Sequence, residues 1–398
     1  MKYNLIVIGA GAAGIICAIT AARQNKSVLL LEKLPQIASK LKATGGGRCN
    51  LSNTLSNEDF MAKFGRDGRF MQDALASFNH EDLVEFFAKI GVDTHAPDGF
   101  RIFPTTHSSS TIIKALQNEM LSLHVEIKTN QKVKELLHVE KKITALKTDT
   151  NTFYAENIII ATGGLGYPVL GAEGDGHKMV QKLGHSSTQL SPAMMPLKTK
   201  ESWVSACRAD TIAKVQMHVD MKKHKKLKAM GDLIFTKNGI RGPVVLDFAR
   251  EITPLLAKYD EVPILMNLTK GKNQEQLNKY LKGKSIFTLL PKPLALEILK
   301  MAKIDEDFIY SKISGLQREK LLQLLAWTPL TINGHDGFKM AMITRGGIKL
   351  NEINPKTMES KLIKGLYFCG EIMNLDGPCG GYNLQWSFSS GFLAGKLL

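Results

Sequence analysis

The sequence predicts an α/β fold that contains a Rossmann-type dinucleotide-binding domain, and three observations predict it. The N-terminus has a strand–turn–helix–strand pattern, an apolar run closes on glycines at residues 157–164, and the C-terminus has a strand, a glycine loop and a helix. Short apolar strands that alternate with helical segments are typical of a parallel sheet. The length of 398 residues favours two domains over one.

The N-terminal pattern carries a dinucleotide-binding fingerprint. A strand at 3–8 precedes a G-x-G-x-x-G turn, a helix follows from about 12 to 24, and a second strand at 27–31 ends at an acid. In this arrangement the glycines allow the tight turn, the approach of a pyrophosphate and the packing of helix on strand, while the acid accepts ribose hydroxyl groups. The residues expected to hold a dinucleotide here are Gly9, Gly11, Ala12, Ala13, Gly14, Glu32 and Lys33.

Two later glycine-rich segments predict the rest of a nucleotide site. The run NIIIATGG at 157–164 indicates a buried strand that closes on glycines. Near the C-terminus a strand at 366–369 leads into a glycine loop and a helix from about 383 to 397. The first amides of that helix favour negative charge, which suits a flavin ring that becomes negative on reduction. The expected cofactor-binding residues are Thr162, Gly163, Gly164, Gly370, Glu371, Gly380, Gly381, Tyr382, Asn383 and Leu384.

Seven short motifs make the sequence similar to the BaiN/RdsA family of FAD-dependent oxidoreductases, which is related to the two-dinucleotide-fold flavoproteins. They are GAGAAG (9–14), GGGRCN (45–50), FP (103–104), ATGG (161–164), TRGGI (344–348), CGE (369–371) and GGYNLQW (380–386). The resemblance implies an FAD domain built from both chain ends, residues 1–190 and 337–398. It also implies an inserted domain at 191–336 that contains β-strands, with a small helical part at about 274–327.

The segment GGGRCN is unusual because consecutive glycines lose the most backbone entropy on folding. Within the resemblance, Gly45, Gly46 and Gly47 let the backbone lie against the cofactor. Arg48 and Asn50 are expected to donate hydrogen bonds to flavin, pyrophosphate or substrate, and Cys49 is expected near the ring. Two alternatives stay open, a structural salt bridge for Arg48 and a small buried core position for Cys49.

The charge of the chain is unevenly distributed. The formal net charge is +15, and 25 basic against 15 acidic residues lie between positions 191 and 340. A local cationic surplus of this kind attracts polyanions such as RNA. The surplus peaks at residues 222–228, at the tip of a predicted hairpin, where an ordinary solvated loop is the alternative. Lys237, Arg241 and Arg345 stand where the resembled family is less basic, which favours an anionic ligand.

Several functional classes are disfavoured by composition. Five cysteines without a CxxC pair indicate a reducing compartment, and the cytoplasm is expected. No signal peptide and no apolar run of about 20 residues are evident, so no membrane association is expected. The histidines show no HExxH or paired spacing, and no metal is expected.

These observations predict an FAD enzyme that passes hydride from NAD(P)H to a C=C bond conjugated to a carbonyl. Only one nucleotide fingerprint is present, so NAD(P)H is expected to dock transiently. The resemblance implies as substrate either a uridine of ribosomal RNA, giving dihydrouridine, or a steroid-like enone, and the basic insertion favours RNA. A non-catalytic flavin-carrying protein that binds RNA or senses redox state is a further alternative. The expected catalytic residues are Arg48, Cys49, Cys379 and Tyr382, with His177 as another candidate proton donor.

Overall fold

The computed structural model describes residues 2–396, which form two compact units. Pro192–Met342 make up the second unit, and the residues on both sides of it make up the first. The sequence placed the end of the insertion at residue 336, six residues earlier. Residues up to 342 go with the second unit because the main chain continues to bond there: Met342 N–H donates to Met194 O at 3.1 Å.

The elements follow one another in short segments. The strands are β1 (Lys2–Ile8), β2 (Val28–Leu31), β3 (Ser52–Asn53), β4 (Thr94–His95), β5 (Arg101–Pro104), β6 (Glu126–Lys128), β7 (Val133–Val139), β8 (Lys142–Thr148), β9 (Thr152–Ile160), β10 (Ser191–Ala193), β11 (Leu197–Thr199), β12 (Thr211–Val219), β13 (Lys228–Thr236), β14 (Gly239–Arg241), β15 (Val262–Asn267), β16 (Thr328–His335), β17 (Ile343–Arg345) and β18 (Leu366–Phe368). The helices are α1 (Ala12–Ala22), α2 (Ser39–Ala43), α3 (Asn57–Ala62), α4 (Gln72–Ser77), α5 (His80–Lys89), α6 (Ser109–Ser122), α7 (Asp175–Gln181), α8 (Pro243–Tyr259), α9 (Gln274–Leu281), α10 (Lys292–Ala302), α11 (Gly315–Ala326) and α12 (Tyr382–Lys396).

The first unit is built on a seven-stranded sheet in the order β6-β2-β1-β9-β8-β7, with β18 also paired to β9. Pairing is parallel among β6, β2, β1, β9 and β18, and antiparallel along β9-β8-β7. Residues 5–8 of β1 are buried and apolar, as is typical of an interior strand in a parallel sheet. The predicted Rossmann-type α/β fold is confirmed.

The ends of the predicted elements differ slightly from those observed. The first helix ends at Ala22, two residues before its predicted end. The C-terminal helix begins at Tyr382, and its predicted end at 397 lies outside the described residues. The last strand ends at Phe368 because a 3₁₀ turn, Gly370–Ile372, follows almost at once.

The second unit contains a closed barrel with the strand order β11-β14-β13-β12-β15-β16. The predicted hairpin is confirmed, since β12 and β13 pair in antiparallel fashion and enclose residues 220–227. Helices α9, α10 and α11 lie within the range expected for a small helical part. Each unit has its own apolar core. Among residues 2–396, no helix combines the length and apolarity needed to cross a membrane.

Candidate cofactor and active site

The fingerprint turn lies between β1 and α1. Gly9 has φ +103°, and its N–H donates to Leu31 O at 2.8 Å, which holds the turn against β2. A side chain at Gly14 would collide with the carbonyl oxygen of Gly9, so this glycine allows helix and strand to approach closely. At Gly11 a Cβ atom would meet nothing within 4 Å, and no side chain caps the first turn of α1. The helix therefore presents unpaired amides to open space, as a pyrophosphate requires.

Glu32 is fixed at the end of β2 by main-chain hydrogen bonds. Its Oε2 accepts from Ala10 N and its Oε1 accepts from Leu34 N, each at 3.0 Å. Each carboxylate oxygen has a second lone pair, so ribose hydroxyl groups can also bind. Lys33, which was also expected to bind the dinucleotide, pairs with two carboxylates. Its Nζ lies 2.7 Å from Glu173 and 2.6 Å from Asp175. The charge of Lys33 is thus matched by carboxylates beside α7, and no cofactor phosphate is needed to balance it.

The three glycines of GGGRCN lie in a tight turn, Thr44–Gly47, whose backbone at Gly45 and Gly46 is not that of a regular helix. Their φ angles are +58°, +66° and +88°, a left-handed conformation that side chains disfavour. A Cβ atom at Gly46 or Gly47 would meet nothing within 4 Å. The turn therefore offers bare backbone to an open region, and its contact with a cofactor stays a prediction.

Arg48 and Cys49 point in opposite directions. Arg48 is exposed, its Nε donates to Gly45 O at 3.3 Å, and its guanidinium carbon lies 5.7 Å from the centre of the Phe103 ring. Within residues 2–396 it forms no ion pair, which excludes the salt-bridge alternative there. Cys49 is fully buried, and burial raises the pKa of its thiol to about 11, against a smaller lowering by a hydrogen bond with Thr44. The core interpretation of Cys49 is favoured.

Two asparagines expected to face the cofactor instead bind main chain. In the amide orientation that satisfies both ends, Asn50 donates to Ser52 O at 2.9 Å and accepts from Gly381 N at 3.1 Å. Asn383 Oδ1 accepts from Gly377 N at 2.8 Å, and its Nδ2 donates back to Gly377 O at 2.9 Å. The Asn50 amide thus has main-chain partners, and its expected contact with a ligand stays a prediction. Both amides shape the glycine loops.

The remaining C-terminal candidates lie in different environments. Tyr382 is 4% exposed, and its ring centre lies 5.0 Å from that of Phe60. Cys379 is exposed, while Leu384 is half-buried on the first turn of α12. The three cysteine and tyrosine candidates are therefore not equivalent, because only Cys379 is open to solvent.

The structure adds an ion pair to the candidate site that the sequence did not reveal. Lys40 Nζ lies 2.6 Å from Glu371 Oε2, and Glu371 Oε1 accepts from Thr344 N at 2.7 Å. A Cβ atom at Gly163 or at Gly164 would lie beside the Glu371 carboxylate. Lys40 does not belong to a recognisable sequence motif, so its pairing with Glu371 could be found only in the folded structure.

Two buried polar side chains near these glycines have no hydrogen-bond partner within residues 2–396. They are Thr162, through its hydroxyl oxygen, and His177, through both ring nitrogens. Burial lowers the pKa of His177 to about 4, against a smaller raising by Glu371, so the imidazole is neutral. Together with the open space at Gly11 and the bare turn at 45–47, an unsatisfied hydroxyl group at Thr162 fits a bound dinucleotide.

Comparison with known proteins places this geometry in a family. The 3-dehydro-bile acid delta(4,6)-reductase of Clostridium scindens is 32% identical, over 98% of this chain and 97% of that protein. The ribosomal RNA dihydrouridine synthase of Escherichia coli is 29% identical, over 98% of this chain and 96% of that protein. The 3-ketosteroid-delta4-(5alpha)-dehydrogenase structure from Rhodococcus jostii is similar in fold, with a TM-score of 0.55 and 14% identity over 99% of this chain and 95% of that one.

The family described as HI0933-like protein Rossmann domain matches residues 3–397. This match and the curated relatives agree with the resemblance found in the motifs. The chain, with its Rossmann-type FAD-binding fold, therefore belongs to the HI0933-like family of flavin oxidoreductases.

Proposed function

We propose that this chain binds FAD non-covalently and reduces a C=C bond conjugated to a carbonyl group, with a uridine of ribosomal RNA as the substrate. When bound, the flavin supplies hydride chemistry, and the protein supplies position and electrostatics. The amides at Gly11 take the pyrophosphate, Glu32 takes the ribose, and the bare turn at 45–47 lies against the cofactor.

Arg48 is the side chain proposed to meet an anionic partner at this site. It is exposed and has no carboxylate partner within residues 2–396, while the adjacent Cys49 is buried. A guanidinium makes paired, charge-assisted hydrogen bonds to phosphate or carboxylate oxygens. We assign Arg48 to the binding of the substrate or the cofactor, and NAD(P)H to the role of a transiently bound electron donor.

The observation that carries the RNA proposal is the hairpin tip of the second unit. Lys222, Lys223, Lys225, Lys226 and Lys228 are all exposed there. None of them forms an ion pair with the residues at 2–396, so their charges are not balanced within the chain. Unbalanced lysines can neutralise phosphates and release the counterions of a nucleic acid. The E. coli relative that bears the name ribosomal RNA dihydrouridine synthase supports the same substrate.

A small enone is the second candidate substrate. It is favoured by the Clostridium scindens relative, whose name describes reduction of a bile acid and whose identity to this chain is 32%. A small hydrophobic enone gives no role to the exposed lysines of the hairpin tip. We therefore place RNA first.

A gene deletion tests the proposal directly. We expect one dihydrouridine of ribosomal RNA to disappear in the deletion strain and to return when the gene is restored. In vitro, purified enzyme with FAD and NAD(P)H should add the mass of one H₂ to ribosomal RNA from that strain. An unchanged dihydrouridine map, together with turnover of 2-cyclohexen-1-one, would instead favour the small-enone function.

A further inference from the structure

Two histidines lie in contact at the edge of the glycine turn, and no motif predicted them. His95 ends β4, and His107 follows β5 in a turn where its φ is +49°. Their Nε2 atoms are 2.9 Å apart, and the ring centres are 4.7 Å apart. At this distance one Nε2 carries a proton and the other accepts it. The pair therefore shares one proton along the contact.

The pair lies one aromatic ring away from the glycine turn. The ring centres of His107 and Phe103 are 5.5 Å apart. The guanidinium carbon of Arg48 lies 5.7 Å from the centre of the Phe103 ring, and Phe103 Cε1 is 3.8 Å from the position of a Cβ atom at Gly45. The two histidines thus belong to the same surface as the bare backbone at 45–47.

The other proton donors considered from the sequence are less suited to the reaction. Burial raises the pKa of the Cys49 thiol to about 11, and burial lowers the pKa of the His177 imidazole to about 4. At neutral pH the Cys49 thiol therefore keeps its proton, and the His177 imidazole is already in its neutral form. An effective general acid titrates near the working pH, which is the ordinary range of imidazole.

We infer that His107, with His95 behind it, supplies the proton that accompanies hydride transfer to the substrate. This inference rests on the proposed function. His107 is exposed and can touch a substrate, so it is the catalytic residue, while half-buried His95 is the positioning residue. Among residues 2–396, nothing hydrogen-bonds to His107 Nδ1, which leaves that atom able to face a ligand.

The step balances in protons and electrons. A hydride adds to the β carbon of the C=C–C=O group, and the π electrons move to the α carbon. The step starts from the pair with one positive charge, in which His95 holds a proton on each ring nitrogen and His107 holds one on Nδ1. The α carbon takes the Nδ1 proton of His107, and His107 Nε2 takes the proton that His95 Nε2 had donated to the contact, which leaves both imidazoles neutral. The pair loses one proton and one positive charge, which water restores. Only one proton fits between the two Nε2 atoms, so proton release by His107 and proton transfer from His95 are coupled.

Charged side chains lie on the segments that surround the pair. Helix α5 packs on β4 and α6 packs on β5. The ionisable side chains on these elements and their flanking loops, together with the neighbouring Arg48, are Arg48, His80, Glu81, Asp82, Glu85, Lys89, Asp93, Asp98, Arg101, Lys114 and Glu119. Glu85 pairs with Lys89, and Asp98 with Arg101, each at 2.6 Å. Arg48, whose guanidinium lies over the Phe103 ring, forms no ion pair within residues 2–396.

The decisive experiment separates proton delivery from flavin reduction. Holoenzyme is reduced without oxygen by stoichiometric dithionite and then mixed with ribosomal RNA transcript or with 2-cyclohexen-1-one, while flavin reoxidation is followed. We expect His107→Ala to slow reoxidation about a hundredfold, the lower end of what general acid catalysis contributes. Free imidazole should restore much of the rate. His95→Gln should shift the pH at which the rate falls, and His138→Gln, a change at an exposed residue of β7, should leave the rate unchanged.

Three outcomes would overturn the inference. The first is reoxidation of His107→Ala at the wild-type rate between about pH 6 and 9. The second is slow reoxidation with an unchanged pH profile and no rescue by imidazole, which would indicate a structural role. The third is a wild-type enzyme that neither acceptor reoxidises, which removes the proposed function as well. The first two outcomes leave the proposed function intact, so the two failures are distinguishable.

Discussion

The ion pair between Lys40 and Glu371 joins the segment before GGGRCN to the segment after the last strand, across 331 positions of sequence. Both side chains are largely buried, with 27% and 17% of their surfaces exposed. Removing one partner of such a pair leaves an uncompensated charge. We expect Lys40→Met to lower the free energy of unfolding by about 1–2 kcal/mol, since partial exposure reduces the cost.

A double-mutant cycle with Glu371→Gln isolates the pair itself. Urea unfolding of the four proteins should give a coupling energy of at least about 0.5 kcal/mol. Simple additivity of the two changes would show that the pair contributes nothing. Lys2→Met, at an exposed pair with Glu156, is the matched control and should cause little change.

Substitutions at two fingerprint glycines are expected to have different effects: a change at Gly11 should affect cofactor binding, and a change at Gly14 should affect folding. Gly11 has φ −87° and open space beside it, so Gly11→Val should fold normally and lose FAD, because the new side chain occupies the place of the pyrophosphate. Gly14→Val should instead unfold the protein, because its side chain would collide with Gly9 O. Circular dichroism and the flavin content of purified protein measure both effects. Folded Gly11→Val protein with bound flavin would contradict the cofactor assignment.

The local motifs could be predicted from the sequence, but their partners could not. The glycines at 9, 11 and 14 form the expected turn because strand, turn and helix are contiguous. Asn50 was expected to face a ligand, yet its amide binds Gly381, more than 300 positions away. The contact of His95 with His107 likewise depends on the pairing of β4 with β5. Spacing in sequence carries no information about such side-chain directions.

Arg48 is expected to contribute to ligand binding and little to stability. It is exposed, and its side-chain contacts are one weak hydrogen bond and the face of Phe103. We expect Arg48→Ala to change the free energy of unfolding by no more than about 0.5 kcal/mol. Arg48→Ala should slow flavin reoxidation by ribosomal RNA. Arg48→Lys should restore the rate only in part, because lysine lacks the planar guanidinium that donates paired hydrogen bonds. A large drop in melting temperature with normal kinetics would assign a structural role to Arg48.

His177 should make stability depend on pH. Burial lowers its pKa from 6.5 to about 4, so between these values the unfolded chain binds the extra proton and the folded chain does not. Stability from this residue is therefore present above about pH 6.5 and falls as the pH drops toward 4. Between about pH 7 and 5, we expect the wild type to lose about 1–2 kcal/mol more than His177→Phe loses. Equal losses in urea unfolding at the two pH values would show that His177 does not titrate in this way, and His138→Phe serves as the exposed control.

The hairpin tip provides the test of RNA binding. Five exposed lysines lie at residues 222–228, and each phosphate that they neutralise releases a counterion. Replacing all five with glutamine should lower the affinity for ribosomal RNA and flatten its dependence on salt, by about 0.7 in log–log slope for each single-strand phosphate that is no longer neutralised. The rate at which NAD(P)H reduces the bound flavin should stay unchanged, because that step needs no RNA. The matched control replaces Lys279, Lys282 and Lys284, which lie at and beyond the end of α9, with glutamine and keeps the tip intact. Equal RNA binding by wild type and tip variant at about 50 and about 200 mM salt would contradict a polyanion-binding role, and the small enone would become the leading substrate.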